Sequence, residues 1–154
     1  MVAALVVLVL AGAPTQPGKR SPPPSIHLTQ GRLGSSPSSR ELIIVQKRDG
    51  SGKATYLYPH GLKLSPDDPK ETKRLSAEQM KALWARLEKT SWWTLDGKHV
   101  NNSRSSHPLS YQYELSDGKR SATFSASDLP DPSMQSVDDA VLATTTDLGM
   151  TWKP

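Results

Sequence analysis

Four histidines, His27, His60, His99 and His107, are the residues best suited to do chemistry in this chain. An imidazole can bind a metal or carry a proton near neutrality. A zinc site needs closely and regularly spaced ligands, such as His-Glu-x-x-His on one helix face or paired Cys-x-x-Cys turns. These four histidines have no such spacing, and the chain contains no cysteine, so no metal site is expected. Gly50-Ser51-Gly52-Lys53 superficially looks like a phosphate loop. It has Lys47 where the first glycine belongs and Ala54 where the magnesium-binding Ser or Thr belongs. It also joins two strand-like runs instead of opening a helix, so a turn is expected there. No Gly-x-Ser-x-Gly elbow offers a serine nucleophile. The acidic pairs Asp67/Asp68, Asp128/Asp131 and Asp138/Asp139 sit beside prolines or at a helix start. Aspartate caps and turns in such places for local reasons. Asn101-Asn102-Ser103 has the form of a glycosylation acceptor, a triplet that also arises often by chance. The expectation is no catalytic residue, no cofactor and a chain that is not an enzyme.

That leaves binding. Trp92 and Trp93 are adjacent at the exit of a helical segment. Neighbouring side chains cannot easily both point inward there, and surface tryptophan is a frequent anchor at protein interfaces. Both are the candidate binding residues, against the alternative that both pack over a sheet edge. Nucleic acid is not the expected partner. Tyr111, Tyr113 and Phe124 fall on the apolar side of their strands rather than on a wet, basic stacking surface. The net charge of +4 is uneven, with eleven Lys/Arg and five Asp/Glu in residues 1–74 against eight and ten in 75–154. Much of the positive charge therefore belongs to a basic leading half, and the rest is slightly acidic.

The elements that position these residues can be read in order. Val2 to Ala11 is unbroken apolar sequence followed by Ala11-Gly12-Ala13. As a helix it would rise only about 15 Å, half a bilayer core. Residues 1–13 have the length and small-x-small ending of a signal peptide, although no basic residue precedes the run and Pro14 follows it. A secreted or periplasmic location is expected, with membrane contact only through the leader. Residues 14–40 are rich in Pro, Ser, Gly and basic residues, including Ser21-Pro22-Pro23-Pro24-Ser25, and are expected to be a disordered tether. The absence of cysteine excludes a disulfide scaffold and a lipid anchor of the lipobox type.

A domain is expected over 41–145, with 146–154 a tail. Glu41–Arg48 and Lys53–Pro59 read as a hairpin with Val45 opposite Tyr56 and Ile43 opposite Tyr58 on one face. His60 to Arg74 reads as a turn-rich excursion. Ser76 and Gln79 form a capping box, Leu75 and Met80 a staple, and Met80, Leu83, Trp84 and Leu87 an apolar stripe. A helix from Ala77 to about Lys89 follows. After a loop from Thr94 to Pro108, a second hairpin turns at Asp117-Gly118 and sets Tyr111 across from Phe124 and Tyr113 across from Ala122. A short helix from about Ser136 to Ala143 comes next, and Leu148, Met150 and Trp152 alternate like an edge strand. The expected fold class is α+β: a two-layer antiparallel sheet of about four strands (β-β-α-β-β-α) with one main helix packed on it.

Leu42 to Thr144 resembles the emfourin-like small bacterial proteins, of the protealysin-type metallopeptidase inhibitor family. The resemblance rests on the opening hairpin, then Leu75-Ser76-Ala77-Glu78 leading a helix with Leu83 and Leu87. It continues through Trp92-Trp93-Thr94-Leu95, Tyr113-Glu114-Leu115, Asp117-Gly118 and Asp128-Leu129-Pro130 before a short helix. It implies an exported, non-catalytic module that inhibits or modulates a secreted metallopeptidase, its partner another protein. The family's glycine-aromatic turn is replaced here by Arg48-Asp49-Gly50-Ser51-Gly52-Lys53, so no functional residue is carried over. The alternative is a structural or accessory envelope protein held by its Pro-rich tether.

Overall fold

The computed structural model describes residues 22–32, 40–58, 70–103 and 108–152. The leader, His60, His107 and Asp67/Asp68 lie outside them. The described strands are β1 (Ser25–Arg32), β2 (Arg40–Gln46), β3 (Gly52–Leu57), β4 (Lys70–Leu75), β5 (His99–Asn101), β6 (Leu109–Ser116) and β7 (Ser121–Ser127). Two α-helices, α1 (Ala77–Glu88) and α2 (Pro132–Asp147), and a 3-10 turn (Trp92–Leu95) complete the described elements.

The fold is α+β, but the expected four-strand antiparallel sheet with one main helix is incorrect. The strands form one seven-stranded mixed sheet in the order β4-β3-β2-β1-β6-β7-β5, and β5 runs parallel to β7. The largest difference is β1, which falls in the stretch assigned to the tether. It lies in the middle, pairing antiparallel with β2 on one side and β6 on the other. Ile26 and Leu28 point to the core, 0% and 2% exposed, while His27 and Thr29 face away. This strict alternation is what a half-buried strand requires. β4 occupies the end of the expected turn-rich excursion from His60 to Arg74, together with Leu75. Its sequence KETKRL carries charge along an edge strand, which discourages pairing with other chains.

The first hairpin closes through Lys47–Ser51, with Lys47 N–H donating to Ser51 O at 2.7 Å and Gly50 at φ +82°. Leu42 therefore meets Tyr56 and Ile44 meets Ala54, instead of Val45 meeting Tyr56. At Gly52 a side chain would run into Met80, so this glycine lets α1 lie close to β3. In the second hairpin Asp117 Oδ1 accepts the Lys119 and Arg120 N–H groups at 2.8 and 2.7 Å. The turn grows to four residues, and Tyr113 faces Phe124 while Tyr111 faces Ala126. An even shift of two preserves the face assignment.

Both helices cover one face. α1 begins at the expected capping box, and its Met80, Leu83 and Leu87 are buried. α2 is longer than expected at both ends. Asp131 caps it, accepting from Met134 N–H at 3.0 Å, and Pro132 takes the first turn, where a missing N–H costs nothing. Thr144 and Thr145 continue it by bonding their hydroxyls back to Ala140 O and Val141 O. The described tail residues form no strand, yet Met150 and Trp152 enter the core, 8% and 3% exposed. Among the described residues no helix is long and apolar enough to cross a membrane.

Candidate interaction surface

The two candidate binding residues take different roles. Ser91, at φ +53°, reverses the chain after α1 and starts the 3-10 turn. Trp92 then points fully inward at 0% exposure, and Trp93 is half-buried with its ring set edge-on, 6.0 Å away. The Arg120 guanidinium lies over the Trp93 ring at 4.1 Å and near Trp92 at 5.6 Å. Glu88 and Asp117 hold Arg120 in place at 2.7 Å each. These bonds, Glu88 first, raise its pKa further above the usual arginine range. A cation of the protein itself thus occupies one face of the half-exposed tryptophan. Replacing Trp92 by Ala is expected to cost about 3–5 kcal/mol, the range for a buried large aromatic. Trp93→Ala should cost distinctly less, and urea unfolding of both variants checks the order.

The helix-free face of the sheet carries His27 and two carboxylates of the central strands. His27 on β1 sits between Glu41 of β2 at 3.4 Å and Glu114 of β6 at 3.9 Å. Thr29 Oγ1 lies 3.4 Å from the same imidazole. Among the described residues no group of three or more His, Cys, Asp or Glu is arranged to hold a metal ion. Beside this cluster runs a shallow groove of about 200 Å³ lined by Lys98, His99, Gln112, Glu114, Thr123 and Ser125. His99 Nδ1 and Ser125 Oγ are 2.7 Å apart. A serine–histidine pair works as nucleophile and base when a third group orients the imidazole. No hydrogen bond joins the other His99 nitrogen to a described residue.

The corner between β7 and α2 adjoins this groove through Lys98, which pairs with Asp131. That bond, with the Met134 N–H, holds the Asp131 carboxyl down to about 2. Asp128 sits at φ +68°, in the left-handed region. Its N–H donates to Leu109 O at 2.7 Å, and its Oδ1 accepts Leu109 N–H at 2.9 Å. Leu129 donates its N–H to Ser127 O at 3.1 Å and accepts Asn102 Nδ2 at 3.1 Å. Every one of these bonds fixes backbone, while the Leu129 side chain stands out at 67% exposure, the one exposed large hydrophobic among the described residues. Neither the strain nor the exposure is visible in the sequence, where Asp128-Leu129-Pro130 reads as an ordinary turn.

A buried pair was also missed. Asp138, 3% exposed, accepts the Tyr113 hydroxyl at 2.8 Å. Burial first, then the charge of Asp139, pushes its carboxyl up to about 7 against the lowering by the Tyr113 bond. Burial likewise raises the Tyr113 hydroxyl well above its ordinary value. A signal existed: Asp138 lies on the stripe Met134, Val137, Val141 that α2 buries, where an acid has no reason to be if it only caps.

Compared with known proteins, the chain matches no protein-family model and no curated protein.

Proposed function

We propose that this chain is a non-catalytic binding module, exported from the cell, that inhibits or modulates a secreted metallopeptidase. The observation that carries this reading is the braced corner at Leu129. Its backbone N–H and C=O are already bonded within the fold, so a partner meets the side chain alone. Peptide segments that enter a cleft as an added strand are held through free backbone groups. This corner withholds them, and Pro130 has no N–H to give. It can fill an apolar pocket without presenting a bond for hydrolysis. Polar groups lie close by in the chain and the fold: Asp128 precedes the leucine, Asp131 with its partner Lys98 follows two residues on, and Asn102 bonds the Leu129 carbonyl, the kind of setting in which interface anchors occur. The resemblance over Leu42 to Thr144 supports the peptidase as partner.

The test is titration of the purified chain into thermolysin-like metallopeptidases while substrate hydrolysis is followed. Inhibition is expected, and Leu129→Glu should weaken it by about ten- to a hundredfold, the worth of burying one leucine. No inhibition and no complex by gel filtration would overturn the reading. Recovery of a structural envelope assembly by pull-down would favour the tethered accessory protein instead.

A further inference from the structure

Asp138 is a buried acid with no cation beside it, and the proposed binding corner makes no use of it. Its surroundings give it two possible partners of opposite kind. Asp138 and Tyr113 line a cavity of about 10 Å³ together with Gln30 of β1, Tyr111 of β6 and Trp152 of the C-terminal segment. Two buried polar atoms of these lining residues have no hydrogen-bond partner, Gln30 Oε1 and Trp152 Nε1. The first can only accept and the second can only donate. Gln30 Nε2 donates to the Tyr111 hydroxyl at 3.3 Å, which commits the amide nitrogen and leaves the oxygen free.

A protonated carboxyl has one O–H to donate, whereas a carboxylate only accepts. The neutral acid is therefore the partner Gln30 Oε1 lacks, and the ionised acid is the partner the Trp152 indole lacks. We infer that Asp138 is a proton-operated switch that bonds Gln30 of β1 when protonated and Trp152 of the C-terminal segment when ionised, across the cavity all three line. The bond forms directly or through a single water, since the space admits no more than one.

The C-terminal segment is built to respond. Met150 N–H donates to Thr145 O at 2.9 Å, and Thr151 donates its N–H and hydroxyl to Glu71 Oε2 at 3.0 and 2.9 Å. Trp152 also stands edge-on to Tyr56 at 5.4 Å. The segment is thus anchored on α2, β4 and β3, and its one unused buried donor is the indole N–H. The other titratable groups here are few. Tyr113 of β6 donates to Asp138 and stays neutral, and Asp139 of α2 opposes ionisation as a like charge. Tyr111, also of β6, lines the cavity, while Gln30 and Trp152 do not titrate. Glu71 is held ionised, its carboxyl lowered first by the Thr151 N–H. The carboxyl at about 7 places the change near neutral pH.

Nuclear magnetic resonance on the full isotope-labelled chain tests the switch. The Trp152 indole N–H resonance, assigned by its loss in Trp152→Phe, is expected to move in one step centred at about pH 7. Asp138→Asn should flatten that step. Two further variants read the two bonds separately through the Asp138 carboxyl resonance. Gln30→Leu removes the acceptor for the neutral acid and should move its midpoint down, while Trp152→Phe removes the donor for the carboxylate and should move it up. Each displacement is expected at roughly half a pH unit to one unit, about three- to tenfold in the acid dissociation constant. An indole resonance that stays flat from acid to alkaline pH overturns the switch, as do midpoints that move the same way in both variants. If Asp138→Asn does not fold, the opposed pair decides alone.

Discussion

A chain shortened to begin at Glu41 is expected not to fold, whereas the full chain is expected to unfold cooperatively in urea. The shorter chain lacks β1, which pairs with β2 through six residues and with β6 through eight. Without it the sheet divides into β4-β3-β2 and β6-β7-β5, each with a new unpaired edge. It also loses Ile26 and Leu28, which are buried to within 2%. Each fully buried aliphatic side chain is worth about 1.5–3 kcal/mol, and each ladder hydrogen bond contributes on the order of 1 kcal/mol. Together these losses match the whole stability of a small domain, about 5–15 kcal/mol. Near-ultraviolet circular dichroism and urea unfolding of the two chains check this. A cooperative transition in the chain that starts at Glu41 would mean that β1 is dispensable.

The next largest effect belongs to Asp138. Its folded carboxyl is raised to about 7 from an ordinary 3.8, so ionisation opposes the fold. Below about pH 4 both folded and unfolded states hold the proton, and the group makes no difference. Between about pH 4 and pH 7 the unfolded chain releases it and the folded one does not. Stability then falls by about 1.4 kcal/mol per pH unit, roughly 4 kcal/mol in all, and levels off above pH 7. Asp138→Asn removes this slope. Its amide still accepts from Tyr113 and can donate to Gln30, so the variant should resemble the protein at low pH. At pH 8 it should be the more stable, with Tm higher by on the order of 10 °C. Calorimetry of both proteins across this range gives the result. A Tm difference that does not change with pH would contradict the buried, proton-linked role.

How legible these features were depends on whether their cause is local. The α1 start is fixed by bonds within four residues: Gln79 N–H to Ser76 Oγ at 3.1 Å and Ser76 N–H to Gln79 Oε1 at 2.8 Å. The second hairpin kept its faces because its register moved by two, under the pull of Asp117 on two backbone N–H groups. The first moved by three, an odd number, so Tyr56 left Val45 and joined Leu42 and Ala54 on the core side. β1 did carry a signal, Ile26 and Leu28 alternating with His27 and Thr29. It was masked by the prolines, serines and glycines around it, and its partners lie on β2 and on distant β6. β4 had almost none, because an edge strand stays separate by carrying charge, and only Leu75 turns inward. Trp92 is buried and Trp93 half-buried, a difference that their adjacency in the sequence does not assign to one or the other. The Arg120 that covers Trp93 comes from the far hairpin turn, which spacing cannot reveal.

The cluster beside the groove and the switch each include a β1 residue, His27 in one and Gln30 in the other. Both sites therefore depend on that strand. Amide hydrogen exchange on the full chain measures it directly. Amides of Ile26 to Gln30 that lie in the central ladder should exchange as slowly as those of β2 and β6, close to the rate set by global unfolding. Exchange of these amides at the rate of an unstructured peptide, while β2 and β6 stay protected, would contradict the account and return the segment to a tether.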